Sequence, residues 1–124
     1  MGQYPKAEPL ELRALRIYEK VLGPDHPDTA TAAGNLGRLY CDKGEFAKAE
    51  PLELRALAID EKKLGSEHVD TAKCLDNLGD LYRETGQYAK AEPLYQRALK
   101  IREKMLGSDH FSVAETLDDL AALY

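Results

Sequence analysis

Three histidines recur at a fixed interval, and they are the side chains best suited to binding a metal ion. His26, His68 and His110 are 42 residues apart. A shared metal ion needs its ligands about 2 Å from one centre. Because each 42-residue interval contains only one of these histidines, their imidazoles lie too far apart to bind the same metal ion. We therefore predict no metal site, and a structural or solvent-facing role for all three histidines.

Carboxylates and two cysteines are the other side chains that could do chemistry. No Ser/His/Asp or Cys/His arrangement and no glycine-rich phosphate-binding motif accompanies the carboxylates. Cys41 and Cys74 occupy different positions in their repeats. This favours two reduced thiols of an intracellular protein over a disulfide. We predict that the chain is not an enzyme and holds no cofactor.

The charge and hydropathy of the chain exclude two classes of partner. Its 124 residues carry a net charge of -5, whereas nucleic-acid binders usually present a basic surface. No apolar run approaches the roughly 18 residues that a membrane-spanning helix needs. The N-terminus has neither the basic region nor the apolar core of a secretory signal. We predict a cytoplasmic protein that binds neither nucleic acid nor membrane.

One stretch of sequence appears three times and organises the rest of the chain. It runs from Gly44 to Leu57, and its other copies begin at Gly2 and Gly86, which gives a period of 42 residues. A fixed period of this size is typical of stacked repeats, in which each unit buries its apolar face against its neighbours. The predicted units are 1–42, 43–84 and 85–124, so the array begins and ends in mid-repeat.

Each unit contains two helical patterns, which we call B and A in chain order. In the B pattern of the middle unit, Ala49, Leu52, Ala56 and Ile59 recur at spacings of three and four, which is one face of a helix. The short polar linkers between the patterns favour antiparallel neighbours. We predict an all-α, right-handed superhelical solenoid in the order B-A-B-A-B-A. The predicted helices span 3–22, 27–42, 45–64, 69–84, 87–106 and 111–124.

The order of small, large and aromatic residues resembles the tetratricopeptide repeat (TPR) family. The pattern is carried by Leu36–Tyr40, with small Gly37 and aromatic Tyr40, followed by Gly44–Ala49. The long period and the segment Leu22–Ala30 are similar to the kinesin light chain type of this family. That type usually has an aromatic residue after Pro-Leu.

This chain departs from the kinesin light chain type at that aromatic position. It has Glu11 and Glu53 there in the first two repeats, and Tyr95 in the third. The resemblance otherwise covers nearly the whole chain, three times over.

The resemblance implies that the A helices line a concave groove for extended peptide segments. Asn35 and Asn77 match the asparagine that such grooves use to bond a peptide main chain. Gly34, Asp76 and Asp118 stand where chaperone-binding members carry a lysine of their carboxylate clamp, so that clamp is not reproduced. The predicted groove residues are Thr31, Asn35, Arg38, Asp42, Lys73, Asp76, Asn77, Asp80, Arg83, Glu84, Asp118 and Asp119. Because this lining is net acidic, we expect a protein or peptide partner of basic character.

Two other functions remain open. The chain could be the sensory segment of a larger signalling or transport protein. It could instead assemble with itself, because its first B helix and its last A helix each lack a neighbour. A head-to-tail contact of this kind propagates into an open superhelix unless it closes. The residues predicted to be exposed for self-association are Ala7, Leu10, Ala14, Ile17, Leu117, Leu120, Ala121 and Tyr124.

Overall fold

The fold is a stack of antiparallel helix pairs. The computed structural model describes residues 4–124, and only the backbone of Tyr4. That part of the chain contains six helices and no strand. They are α1 (Tyr4–Val21), α2 (Pro27–Asp42), α3 (Phe46–Lys63), α4 (Val69–Glu84), α5 (Tyr88–Leu106) and α6 (Phe111–Ala121). The predicted all-α solenoid is confirmed, with α1, α3 and α5 as the B helices and α2, α4 and α6 as the A helices.

The helix boundaries follow the repeat closely, with one exception at the last helix. α2 and α4 begin and end as predicted, α5 begins one residue late, α1 ends one residue early, and α3 is one residue shorter at each end. The predicted start of α1 at residue 3 lies outside the described residues. α6 ends at Ala121 and not at 124, because the N–H of Leu123 donates to the Leu120 carbonyl three residues back. Such bonds tighten the last turn out of α-helical geometry.

Each helix packs against the next one along the chain, which is what defines a solenoid. α2 and α4 each pack more extensively on the B helix that follows than on the one before, in the pairs α2–α3 and α4–α5. α2 and α4 also contact each other. The A helices of the first two repeats therefore form one continuous surface, and each repeat is stabilised mainly by its neighbours.

Small residues let the helices of these pairs approach closely. Ala49, Ala56 and Ala91 are completely buried. Gly79 lies inside α4, where glycine costs about 1 kcal/mol relative to alanine. A Cβ atom at Gly79 would lie 2.9 Å from the ring of Tyr95, so a larger residue would collide with α5. Close packing therefore explains the glycine within this helix.

The three histidines of the 42-residue repeat begin the A helices. Each accepts a hydrogen bond at its Nδ1 from the backbone N–H two residues later, at 3.0 Å for His26, 3.0 Å for His68 and 3.1 Å for His110. A helix start leaves N–H groups without partners, and a side-chain acceptor at this position satisfies one of them. The histidines therefore act as helix caps, which is a structural role.

Candidate functional site: the A face

The predicted groove residues lie on α2, α4 and α6, and we call the surface that they form the A face. Two pockets between α2 and α4 open on this face. The larger one, of about 320 Å³, is lined by Arg38, Asp42, Asn77, Asp80, Arg83 and Glu84 of the predicted set, together with Cys41 and Glu53. The smaller one, of about 130 Å³, is lined by Thr31, Asn35, Lys73 and Asn77 of that set, with Ala30, Gly34, Asp60, Asp70 and Cys74.

Three of the predicted groove residues line neither pocket. Asp76 is partly buried, and one of its carboxyl oxygens pairs with the guanidinium of Arg102 on α5. Its other oxygen is buried without a partner, and burial raises the pKa of Asp76 to about 6. Asp118 is exposed on α6, and Asp119 is partly exposed there. The structure thus concentrates the predicted set between α2 and α4.

Glu53 lines the larger pocket but is not in the predicted set. It projects from α3, its exposed fraction is 0%, and neither of its carboxyl oxygens has a hydrogen-bond partner of regular geometry. Burial raises the pKa of Glu53 to about 8, against the opposing effects of the Arg38 charge and the nearby Asn77 amide. The signal was present in the sequence, because Glu53 occupies the position that Tyr95 holds one repeat later.

The two asparagines of the A face differ in what they already contact. The Asn77 carbonyl oxygen accepts a hydrogen bond of 3.4 Å from the Arg38 guanidinium. Asn35 is exposed on α2, and its side chain makes no hydrogen bond to any other described residue. An amide carries two donors and an acceptor. Asn35 therefore has its full set of hydrogen-bonding groups available, whereas the Asn77 amide already contacts Arg38 and lies beside Glu53.

Arginine side chains neutralise part of the acidic A face. Arg83 lies between two carboxylates, 3.5 Å from Asp80 on its own helix and 3.5 Å from Asp119 on α6. From α5, Arg102 pairs with Asp76 and also donates to the Thr116 hydroxyl at 2.8 Å. These pairs connect neighbouring repeats. Among the described residues, the carboxyl groups of the larger pocket without such a pair are those of Asp42, Glu53 and Glu84.

The cysteines offer no reactive thiolate on this face. Burial, reinforced by Glu53, Asp42 and other nearby carboxylates, raises the pKa of Cys41 to about 12. The Cys74 thiol is buried and donates to an Asp60 carboxyl oxygen at 3.3 Å, and its pKa is raised as well. Both cysteines are free thiols. At neutral pH they remain protonated, and a protonated thiol is neither a nucleophile nor a metal ligand.

The described residues contain neither a metal-binding cluster nor a membrane-spanning helix. No group of three or more His, Cys, Asp or Glu side chains between residues 4 and 124 is arranged to hold a metal ion. Over the same residues, no helix combines the length and the apolar character that crossing a membrane requires.

The residues predicted for self-association are mostly uncovered. The exposed fractions are 67% for Leu10, 49% for Ile17, 50% for Leu117 and 85% for Tyr124. On the same surfaces Ala121 is exposed, and Ala7 and Ala14 are half-buried.

The prediction that Leu120 is exposed was wrong. Leu120 is 9% exposed and belongs to the hydrophobic core. It holds the position of Leu78 in the preceding repeat, on the side of the A helix that faces the core. Ala114 lies instead on the uncovered side of α6, at the position of fully buried Ala72.

Sequence comparison assigns this helical array to a family. The tetratricopeptide repeat family matches residues 1–62, 54–104 and 86–124. The chain belongs to the tetratricopeptide repeat family. Members of this family are generally scaffolds for protein–protein interaction. A search of curated proteins returned no match to the chain.

Solved structures place this TPR array near kinesin light chain-like proteins. BtubC (BKLC) from P. vanneervenii is 26% identical with a TM-score of 0.90, and the match covers 99% of this chain and 49% of that one. A kinesin light chain-like protein of Podosopora anserina with nearly identical TPR-like repeats is 30% identical, also with a TM-score of 0.90. That match covers 99% of this chain and 58% of the other. The chain therefore spans about half the length of these relatives.

Proposed function

We propose that this TPR array is a non-catalytic scaffold that binds extended, basic peptide segments along its A face. The observation that carries the proposal is the larger pocket between α2 and α4. Four carboxyl groups line it, those of Asp42, Asp80, Glu84 and the buried Glu53, which is mostly neutral at pH 7, against two guanidinium groups. Complementary charge acts mainly on the rate of encounter and on selectivity, and salt screens it over about 8–10 Å.

The hydrogen-bonding groups of the A face support an extended ligand. The exposed amide of Asn35 on α2 and the partly exposed amide of Asn77 on α4 lie one repeat apart. A side-chain amide can bond to the main chain of a peptide whatever the sequence of that peptide. The carboxylates of the A face would then favour basic peptide segments over neutral or acidic ones. The two free thiols fit a reducing compartment, and we place this activity in the cytoplasm.

A binding comparison of two matched peptides tests this proposal. The probes are fluorescein-labelled peptides of about 12 residues, one of lysine, glycine and serine and the other with glutamate in place of lysine. We expect the basic peptide to bind at least about tenfold more tightly at low salt, with the difference shrinking at physiological salt. Asp80→Asn and Asn77→Ala should each weaken its binding several-fold.

The matched control is Glu67→Gln, which removes an exposed carboxylate paired with Lys104 away from the A face. This variant should bind as the parent chain does. Equal binding of the two peptides, unaffected by Asp80→Asn and Asn77→Ala, contradicts the proposal.

A second candidate function, head-to-tail assembly, is favoured by a ladder of ion pairs between B helices. Glu19 of α1 pairs with Arg55 of α3 at 2.7 Å. One repeat later, Glu61 of α3 pairs with Arg97 of α5. In both pairs the arginine follows the glutamate by 36 positions. The ladder therefore repeats with the period of the array.

Continued through a second copy, the same ladder pairs the two ends of the chain. Three periods of 42 residues make 126. If a second copy continues the array in register, each of its residues lies 126 positions after the same residue of the first copy. Arg13 of that copy then lies 36 positions after Glu103. Within residues 4–124, neither Arg13 nor Glu103 belongs to an ion pair. A parallel series, Lys62 with Asp25 at 4.0 Å and Lys104 with Glu67 at 2.7 Å, brings Lys20 of the second copy opposite Asp109.

The apolar surfaces at this junction are also complementary in position. The uncovered side of α6 carries Leu117 and Tyr124, and the uncovered side of α1 carries Leu10 and Ile17. In the interior of the array the equivalent A-helix side is covered by the next B helix, since Leu75 is 0% exposed and Tyr82 is 8% exposed. In a longer protein, further repeats would cover the same surfaces. For the chain of 124 residues, a second copy is the occupant with matching charges.

Sedimentation velocity between about 10 µM and 1 mM tests the assembly, with variants that probe its register. Exposed ion pairs contribute only about 0–1 kcal/mol each, so Leu117→Asp should abolish association and Glu103→Arg should only weaken it. The double variant Arg13→Glu with Glu103→Arg should restore association, because the swapped charges again meet. A monomer at every concentration contradicts the assembly, and a failure of the double variant to recover contradicts the register.

A further inference from the structure

Glu53 and Tyr95 occupy the same position in consecutive repeats, but their side chains end differently. Each projects from a B helix across a glycine of the preceding A helix, Gly37 for Glu53 and Gly79 for Tyr95. The Tyr95 hydroxyl continues to the A face, where it donates to the Asp80 carboxylate. Glu53 is shorter than tyrosine, and within the described residues its carboxyl group has no hydrogen-bond partner of regular geometry, although the Asn77 amide lies nearby. The carboxyl group lies beneath the floor of the larger pocket, so a ligand in the pocket reaches it when the lining side chains shift.

The cations that line this pocket are already engaged with other groups. Arg38 donates to the Asn77 oxygen, and Arg83 lies between Asp80 and Asp119. None of the ion pairs in the described part of the chain involves Glu53. A buried carboxylate without a partner carries a large desolvation cost, which a bound cation would offset.

We propose that this pocket binds the side-chain cation of a lysine from the bound peptide, with the Glu53 carboxylate as its principal acceptor. This inference rests on the proposed peptide-binding function and names the residue type that the A face selects. A volume of about 320 Å³ lies at the lower end of the range for ligand pockets, so it suits one side chain and not a larger molecule. An ammonium group is a compact charge with three donors, and Asp42 and Glu84 line the same pocket as additional acceptors.

The charged groups around Glu53 give this interaction a pH dependence. From α2, Arg38 and Cys41 face the carboxyl group, and from α4, Lys73, Asn77 and Asp80 do so. Burial dominates and raises the pKa of Glu53 to about 8. Below that pH the carboxyl group is mostly protonated and attracts a cation weakly. Binding should therefore tighten as the pH rises through about 8, with release of a proton from Glu53.

The experiment uses n-butylammonium, which reproduces the end of a lysine side chain, and n-butanol as the neutral probe. Binding is followed by ¹H–¹⁵N NMR of the full chain at pH 6.5 and pH 9. We expect n-butylammonium to shift the amide signals around Cys41 and Asn77 and to bind about tenfold more tightly at pH 9. n-Butanol should produce no such shifts.

Two variants connect the effect to Glu53. Glu53→Gln keeps the shape of the side chain, and it should weaken n-butylammonium binding at pH 9 by about tenfold and remove the pH dependence. Glu53→Tyr introduces the residue that the next repeat has at position 95. Gly37 leaves room for the ring, as Gly79 does for Tyr95. The tyrosine should fill the pocket and abolish binding. Glu67→Gln is the control and should leave binding unchanged.

The outcomes separate this inference from the peptide-binding proposal. Loss of n-butylammonium binding in Glu53→Gln, with a remaining preference for the basic peptide, supports both the pocket and a wider acidic face. If n-butylammonium binds equally to the parent chain and to Glu53→Gln, or fails to bind at pH 9, the pocket is not a lysine site. That result overturns the inference. The proposed scaffold function is then tested separately, by the comparison of the basic and acidic peptides.

Discussion

The two internal A–B junctions of the array share a backbone arrangement and differ in what fills them. In the first, between α2 and α3, Gly37 faces Glu53, whose carboxyl group lacks a hydrogen-bond partner. In the second, between α4 and α5, Gly79 faces Tyr95, whose hydroxyl donates to Asp80. Both central side chains are 0% exposed.

This difference shows that the repeat fixes the helix crossing but not the chemistry at its centre. A glycine on the A helix and a long side chain on the B helix suffice for close packing. The second junction uses a ring and a satisfied hydroxyl, which favours stability. The first uses a buried ionisable group, which costs stability when it is charged. We therefore expect the second junction to hold the array together and the first to be available for binding.

Truncation at the two central positions should give the largest difference. Tyr95→Ala removes a fully buried ring and should destabilise the chain by about 3–5 kcal/mol. Glu53→Ala removes a carboxyl group that has no partner, and at pH 7 it should cost less than about 1 kcal/mol. Urea unfolding followed by circular dichroism measures both. Tyr88→Ala is the control, since Tyr88 is 53% exposed on the same helix as Tyr95. Equal losses at positions 53 and 95 would contradict the comparison.

Neutralising Glu53 should stabilise the first junction at alkaline pH. The pKa of Glu53 is about 8 in the folded chain, above the ordinary value of 4.5. The folded state therefore binds more protons than the unfolded state between these values, and its stability falls as the pH rises from about 4.5 to about 8. Glu53→Gln should match the parent chain near pH 4.5 and exceed its stability at pH 9 by roughly 4–5 kcal/mol.

Unfolding of the parent chain and of Glu53→Gln at pH 4.5, 7 and 9 measures this effect. Glu67→Gln is the matched control, because its carboxylate is exposed beside Lys104. A constant difference between Glu53→Gln and the parent at all three pH values would show that Glu53 does not titrate as a buried acid.

Adding a methyl group to each junction glycine should give the smallest effect and the sharpest comparison. At Gly79 the new Cβ would lie 2.9–3.1 Å from the Tyr95 ring, which cannot move without disturbing α5. At Gly37 it would meet the end of the Glu53 side chain, which is flexible. Since alanine favours a helix by about 1 kcal/mol over glycine, we expect Gly37→Ala to be near neutral and Gly79→Ala to cost about 1–2 kcal/mol.

Gly34→Ala serves as the control for these two substitutions. Its Cβ would lie 3.8 Å from the Cβ of Ala56, which is ordinary contact, so the variant should be stabilised by the helix propensity alone. Thermal unfolding of the three single variants gives the ranking. A larger cost at Gly37 than at Gly79 would show that Glu53 is held as rigidly as Tyr95.

The sequence by itself determined the helices and their order in the stack. Each unit repeats the same apolar spacing, and the glycines of the loops and the histidines before the A helices recur at 42 residues. Local signals of this kind act within a few residues, so α2 and α4 were predicted to the residue. The substitution of Glu53 for an aromatic residue was also visible, although its consequence was not.

Tertiary structure alone decided which polar groups meet and which are buried. The pairing of Arg38 with Asn77 joins residues of two repeats, and Glu53 forms no ion pair with any described residue. The same spacing that predicted an exposed Leu120 could not say which side of α6 the core occupies. Side-chain partners depend on distances between helices that lie a full repeat apart along the chain. The period of a sequence fixes where helices form, and only their packing fixes which charges are left to bind a partner.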